Sequence, residues 1–376
     1  MSHQQDKIIR IKISKLRLPL KKPVSDAKVL TGVQKKPLEN VDLLFAHIRT
    51  KQGLEGLGFS YALRVGGRAQ YAHAKEIAGT LIGEDPYDIQ KIWNNLMWLS
   101  ATAGNSGITA QSIAAIDSAL WDLKAKKAGL PLAKLIGSHY DSVRCYNTSG
   151  GYLQASIEEV IEKSRESLDR GMGGIKMKVG QPDMNKDLRR LDTLRNELGL
   201  DIPIMVDANQ QWDRVQALQF CRQADQYHPE WIEEPLNAYD VEGHTALTAK
   251  VDSPIATGEM LCSSDLLKQY ISHSAVDVIQ PDAARIGGIT PYLKIADLAD
   301  AAGMRVAPHF IMEIHVHLSA CYPRESWVEH FEWLEPLFNE RLKIQDGRMY
   351  VPEGPGLGFT LSEYYTKCLE EEVILK

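Results

Sequence analysis

Ile202-Pro203-Ile204-Met205-Val206-Asp207-Ala208-Asn209 is a short apolar run that breaks on an acid and an amide. A run of this length bounded by polar residues reads as a strand buried on both faces, the kind found in parallel sheets. The pattern recurs along the chain. Gly174-Ile175-Lys176-Met177-Lys178 precedes it, and Trp231-Ile232-Glu233-Glu234-Pro235 follows it. Further on come Gly258-Glu259, Gln280-Pro281-Asp282 and Pro308-His309, each closing a similar run. Asp207 to Glu233 is 26 positions, Glu233 to Glu259 is 26, Glu259 to Asp282 is 23 and Asp282 to His309 is 27. One strand, one helix and their loops occupy about that length.

Working outward, strands are predicted at 143–147, 174–179, 202–207, 231–234, 255–259, 276–281, 304–308 and 327–331, with amphipathic stretches such as 156–169 and 290–302 between them. Seven or eight strand–helix units in succession predict an α/β barrel of the TIM type. The first part of the chain has another style. Apolar and basic residues alternate over 8–18, and runs at 41–49 and 54–61 flank the turn Thr50-Lys51-Gln52-Gly53. Helical patterns follow at 72–82, 87–99 and 110–128, the last stopped by Gly129 and Pro131. Residues 1–137 therefore read as an α+β unit, 138–335 as the barrel, and 336–376, with Gly354, Gly356 and Gly358, as a mixed tail folding back on the first unit.

The 376 residues are 44% hydrophobic and 24% charged, a globular composition with chain enough for a large core. A net charge of −6 argues against a nucleic-acid partner, so an anionic ligand must be drawn in by local cations or a metal. Five scattered cysteines, Cys145, Cys221, Cys262, Cys321 and Cys368, lack disulfide-framework or zinc spacing and read as reduced cytoplasmic thiols. The polar start Met1-Ser2-His3-Gln4-Gln5-Asp6 and the lack of a long apolar run predict no secretory leader and no membrane span.

In a barrel the active site is built at the C-terminal ends of the strands, and here those ends are ionisable. Regular steps bring Asp207, Glu233 and Glu259 to one height on adjacent strands. Three converging carboxylates repel unless a cation lies between them, and an all-oxygen set suits a hard ion, Mg2+ or Mn2+. Lys176 and Lys178, two apart, share a strand face. That face is expected to be the barrel mouth, where two ammonium groups depress each other's pKa and free one as a base. Asp282 beside His309 would orient and strengthen an imidazole base. His315 and His317 compete for that role by proximity, but His309 directly follows a strand end.

Together these motifs resemble the mandelate racemase subgroup of the enolase superfamily, as does Ser118-Ala119-Leu120-Trp121-Asp122 with Gly129-Leu130-Pro131. The resemblance implies a (β/α)7β modified TIM barrel with an α+β cap built from the N-terminal region and the C-terminal tail. It implies Mg2+ held by Asp207, Glu233 and Glu259. Lys178 and the His309–Asp282 pair become acid/base groups on opposite faces of the α-carbon, and Lys176 assists the substrate carboxylate. Glu313 becomes the carboxyl that hydrogen-bonds that carboxylate. A ring-like homo-oligomer is implied as well.

The segments 23–32, 145–151, 207–212 and 329–333 narrow the resemblance to acid-sugar dehydratases of this family acting on six-carbon diacids such as galactarate or L-talarate. The implied reaction is α-proton abstraction followed by loss of the β-hydroxyl to a keto-deoxy acid, with some epimerisation. Asn209, Lys28 and Arg64, with Lys35, Lys36 and Arg68, are candidates for contacting the rest of the substrate. A dehydratase of another acid sugar, or a racemase or epimerase with the same half-reaction, shares this pattern. A zinc-dependent barrel hydrolase would favour histidine ligands, and a non-catalytic binding protein would not need the full set of acids and bases.

Overall fold

The computed structural model describes residues 6–30 and 32–376; the polar start at 1–5, and Thr31 of the motif at 23–32, lie outside the described residues. The alternating N-terminal pattern folds as an antiparallel sheet of β1 (Ile8–Val24), β2 (Leu38–Thr50) and β3 (Glu55–Leu63). Its buried face meets the helix Ile108–Ala128 at unusually short range. A Cβ on Gly56 would come 2.1 Å from the Ala119 carbonyl oxygen, and one on Gly58 2.2 Å from that of Ala115. Glycine at these two positions is what lets strand and helix touch. The helices Gly67–Ala78 and Ile89–Leu99 complete this layer.

The barrel strands are β4 (Ser142–Asn147), β5 (Gly174–Lys178), β6 (Ile204–Asp207), β7 (Trp231–Glu233), β8 (Ile255–Thr257), β9 (Val278–Ile279), β10 (Arg305–Val306) and β11 (Trp327–His330). Neighbours from β4 to β10 pair in parallel, and β11 pairs in parallel with β4. No ladder joins β10 to β11 among the described residues; there Ser326 donates its hydroxyl to the Val306 carbonyl at 2.6 Å. Ile157–Asp169, Met184–Leu198, Arg214–Ala224, Val241–Thr248, Ser264–Ser272, Ile289–Ala301 and Met312–Ala320 are the intervening helices, giving the expected (β/α)7β order. Several strands are shorter than their apolar runs: β8, β9 and β10 leave the ladder before Glu259, Asp282 and His309, whereas β5, β6 and β7 keep Lys178, Asp207 and Glu233 in it.

Tyr146, Met205, Trp231, Ala256, Val278, Ala307 and Trp327 fill the barrel interior, with Tyr146 and Trp231 edge-to-face at 5.3 Å. This packed layer is the floor on which the polar groups stand. The tail departs in part from expectation. β14 (Leu369–Leu375) does return to pair with β1. The hairpin of β12 (Ile344–Gln345) and β13 (Arg348–Tyr350), however, joins the barrel, β13 lying antiparallel to β4. β5 pairs with β4 only at Tyr146 and Asn147, and β13 takes up the start of the strand at Ser142, Val143 and Arg144.

Buried side chains clamp the two units. Asp122 accepts from the backbone N–H of Leu57 and of Leu357, both at 2.7 Å. Asp117 accepts the Thr290 hydroxyl at 2.6 Å, and Trp121 donates to that same hydroxyl at 2.9 Å. The signature around 118–122 is thus a structural clamp between cap, tail and barrel. Among the described residues no helix is long and apolar enough to cross a membrane.

Candidate active site

A cavity of about 570 Å³ lies between the C-terminal strand ends and the cap. The barrel contributes Lys176, Lys178, Asn209, Glu259, Arg285, His309 and Glu329 to its wall; Lys28, Arg64 and Gln111 come from the cap. Five residues of this wall, Arg64, Asn209, Gln210, Glu234 and Phe310, have positive φ without being glycine. Backbone strain of that kind collects where side chains must be aimed. Gly258 serves the same end at φ 145°, since a Cβ there would meet the Gln280 backbone at 2.8 Å. Its turn delivers Glu259 to the cavity.

One carboxylate oxygen from each of Asp207, Glu233 and Glu259 lies within 4.8 Å of the others, and all three residues are buried. Their spacing and oxygen-only chemistry fit a hard divalent cation. The carboxylates are firmly oriented: Asn209 N–H donates to Asp207 at 2.8 Å, and Trp231 and Gln280 donate to Glu233 Oε2 at 3.0 and 2.8 Å. Such support is what an oxygen cage needs to hold its geometry.

Lys176 is buried between Glu233 and Glu329, 2.7 Å from each, and its ammonium lies over the Tyr146 ring at 5.4 Å. Lys178 contacts Asp207. Lys176 does depress Lys178, as their spacing predicts, but the acids bearing full charge outweigh it; a cation held among them would offset that field. Burial and Lys176 pull Lys178 down, but Asp207, Glu259 and Glu233 lift it above its ordinary value, and carboxylates likewise raise Lys176. The acids around the pair outnumber the ammonium groups, which spacing along one strand could not reveal.

His309 Nδ1 lies 3.0 Å from Asp282 Oδ2, and Nε2 lies 3.3 Å from Glu259. Burial opposes the imidazolium, but Glu259 and Asp282 outweigh it and raise the ring to about 9. His315 and His317 are structural instead. His315 Nε2 accepts from the Ala283 N–H at 3.1 Å, and His317 spans Ala133 and the Leu357 carbonyl. Burial holds both near 4.

Glu313 is misplaced by the resemblance. It is buried in the helix Met312–Ala320, outside the cavity wall, with Oε1 lacking a partner, and burial raises its carboxyl to about 8. The carboxylate that faces Lys176 is Glu329, at the end of β11. Thr148 donates to its Oε1 at 2.5 Å and the Phe310 N–H to its Oε2 at 2.9 Å. Lys176 overcomes burial and holds Glu329 below the usual carboxylate range. The signal was available, since β11 was predicted and carries an acid 20 positions after His309. Of the six proposed substrate contacts, Asn209, Lys28 and Arg64 line the cavity; Lys35, Lys36 and Arg68 lie off its wall.

Residues 11–137 match the N-terminal domain of the mandelate racemase/muconate lactonizing enzyme family, and 159–365 match the enolase C-terminal domain-like family. The chain belongs to the mandelate racemase family of the enolase superfamily. This mandelate racemase-family chain is 58% identical over 358 residues to L-talarate/galactarate dehydratase of Salmonella typhimurium, covering 95% of this chain and 90% of that protein. The crystal structure of the Salmonella protein liganded with Mg and L-lyxarohydroxamate aligns with a TM-score of 0.98 at 55% identity, over 100% of this chain and 95% of that one. L-talarate dehydratase from Polaromonas sp. JS666, complexed with Mg and L-glucarate, aligns at 0.96 and 58% identity, over 98% and 99%.

Proposed function

We propose that the enzyme is a Mg2+-dependent acid-sugar hydro-lyase acting on a six-carbon diacid, galactarate or L-talarate. The observation that carries this reading is the convergence of Lys176, Lys178, Glu259 and His309 on one cavity, with Asp207 and Glu233 each placing a carboxylate oxygen within 4.8 Å of Glu259 and Asp282 held against His309. Kinship with the Salmonella and Polaromonas proteins, which bear that activity in their names, supports the choice of substrate.

Asp207, Glu233 and Glu259 hold the ion. When bound, it supplies positive charge against the substrate carboxylate, whose α-proton is otherwise too weak an acid to leave. Lys176, oriented by Glu329, hydrogen-bonds the same carboxylate and offsets the charge that develops on it. Lys178 or His309 removes the α-proton, according to the configuration of the carbon. His309, once protonated and held by Asp282, donates a proton to the β-hydroxyl, which departs as water. The enol left behind takes up a proton and becomes the keto-deoxy acid. Asn209, Lys28 and Arg64 contact the hydroxyl-bearing remainder. With acid/base groups on both faces, return of the proton to the wrong face produces a minor epimer.

Incubating the purified enzyme and Mg2+ with a panel of mono- and diacid sugars, with α-keto acid as the readout, tests this. Turnover of galactarate or talarate is expected. Product from another acid alone overturns the substrate assignment, and epimer without keto acid overturns dehydration.

A further inference from the structure

We propose that Arg285 is the specificity residue that binds the far carboxylate of the diacid, an assignment that rests on the reading above. Arg285 stands in the turn after β9, where its own N–H and that of Ile286 donate to the Asp282 carbonyl at 2.9 and 3.1 Å. From there it lines the cavity beside Glu259 and His309.

Its guanidinium is positioned by weak contacts and not by a direct ion pair. Nη1 lies 3.3 Å from the Met260 sulfur, a weak acceptor, and the group sits over the Tyr61 ring at 6.0 Å. Nε is buried with no hydrogen-bond partner. Among the described residues it forms no direct ion pair, although the charges of Asp282 and Glu259 reach it. Asp282 and Glu259 favour the buried cation through space without bonding it, which leaves its planar fork open to a carboxylate in two bonds. The other cations of the cavity are already engaged. Lys176 meets Glu233 and Glu329, and Lys178 meets Asp207. Arg64 is held by Asp26 and the Lys36 carbonyl, both at 2.9 Å, and Lys28 donates to the Gln210 carbonyl at 3.1 Å.

Topology sets the direction. In the ring order from β4 to β11, β5 with Lys176 and β9 before Arg285 are four places apart in eight, on opposite walls. A substrate with one carboxylate at Lys176 directs its other end across the cavity to Arg285.

The test measures dissociation constants for galactarate and for galactonate, which differ in bearing a carboxylate or a hydroxymethyl group at the far end. Calorimetry with Mg2+ in a Lys178→Ala, His309→Asn background keeps turnover from interfering. Galactarate is expected to bind roughly 10- to 100-fold more tightly than galactonate, the range for a hydrogen bond between charged groups. Adding Arg285→Met should erase that margin while galactonate affinity holds, and Arg285→Lys should restore part of it. A margin that survives Arg285→Met, or a parallel loss for both ligands with Arg285→Lys no better, overturns the assignment. An Arg285-dependent margin in an enzyme that dehydrates neither diacid leaves the assignment standing and removes the dehydratase reading. Dehydration of galactarate without such a margin does the reverse.

Discussion

Tyr61 of the cap donates its hydroxyl proton to Asp282 Oδ2 at 2.5 Å, the same oxygen that meets His309 Nδ1 at 3.0 Å. The cap therefore holds the carboxylate that orients the imidazole. The tyrosine ring is fixed in turn by Phe310, edge-to-face at 4.8 Å. Tyr61→Phe keeps this packing and removes one hydrogen bond. We expect kcat to fall about tenfold with KM nearly unchanged, the cost of loosening one charged hydrogen bond. Steady-state kinetics check this; an unchanged kcat would mean that Asp282 needs no help from the cap.

Lys178 and His309 approach one cavity from different strands. Removing either should cut dehydration by at least ~100-fold, the lower end for loss of a positioned acid or base. Exchange of the substrate α-proton with deuterated solvent separates their roles. Lys178→Ala should retain exchange on one epimer, and His309→Asn on the other. Loss of all exchange in both variants would mean that the two groups act on one face.

Asp207, Glu233 and Glu259 crowd negative charge into a buried site. Mg2+ should raise the melting temperature, because a ligand at ~100 times its Kd stabilises by about 2.7 kcal/mol. Asp207→Asn should blunt that rise. Chelator should abolish turnover and Mg2+ restore it. Scanning calorimetry with and without the ion is the measurement, and equal shifts in wild type and variant would place the ion elsewhere.

Glu313 and Glu329 are both buried acids with opposite expected outcomes. Glu329→Gln weakens the hold on Lys176 and should lower kcat by ~10-fold or more. Glu313→Gln should leave kcat alone and change the pH dependence of stability. Burial lifts the Glu313 carboxyl from 4.5 to about 8, so the folded protein prefers the protonated form. That preference is fully present below about pH 4.5 and is lost as pH rises toward 8. The wild type should thus lose more melting temperature than Glu313→Gln between pH 5 and about pH 8. Parallel curves would show that Glu313 titrates normally.

The barrel was legible because its evidence is local and periodic. Apolar runs that end on Asp207, Glu233 and Glu259 at near-equal steps already imply groups at one height. Alternation at 8–18 and a capped helical pattern ending at Gly129 were equally local signals. Strand ends were read too long, because apolar character continues past the point where the ladder stops.

What the order of residues determined by itself was therefore the strand–helix rhythm and the set of groups at the strand ends, since both depend on neighbours a few positions apart. Only the tertiary structure decided which acid joins Glu233 at Lys176, that Tyr61 reaches Asp282 across 221 positions, and that Arg285 lines the cavity with its Nε unbonded. The net field on Lys178 belongs with these. Each depends on distances between segments remote in the chain, and hydrogen bonding and Coulomb forces act through those distances without regard to order along the sequence.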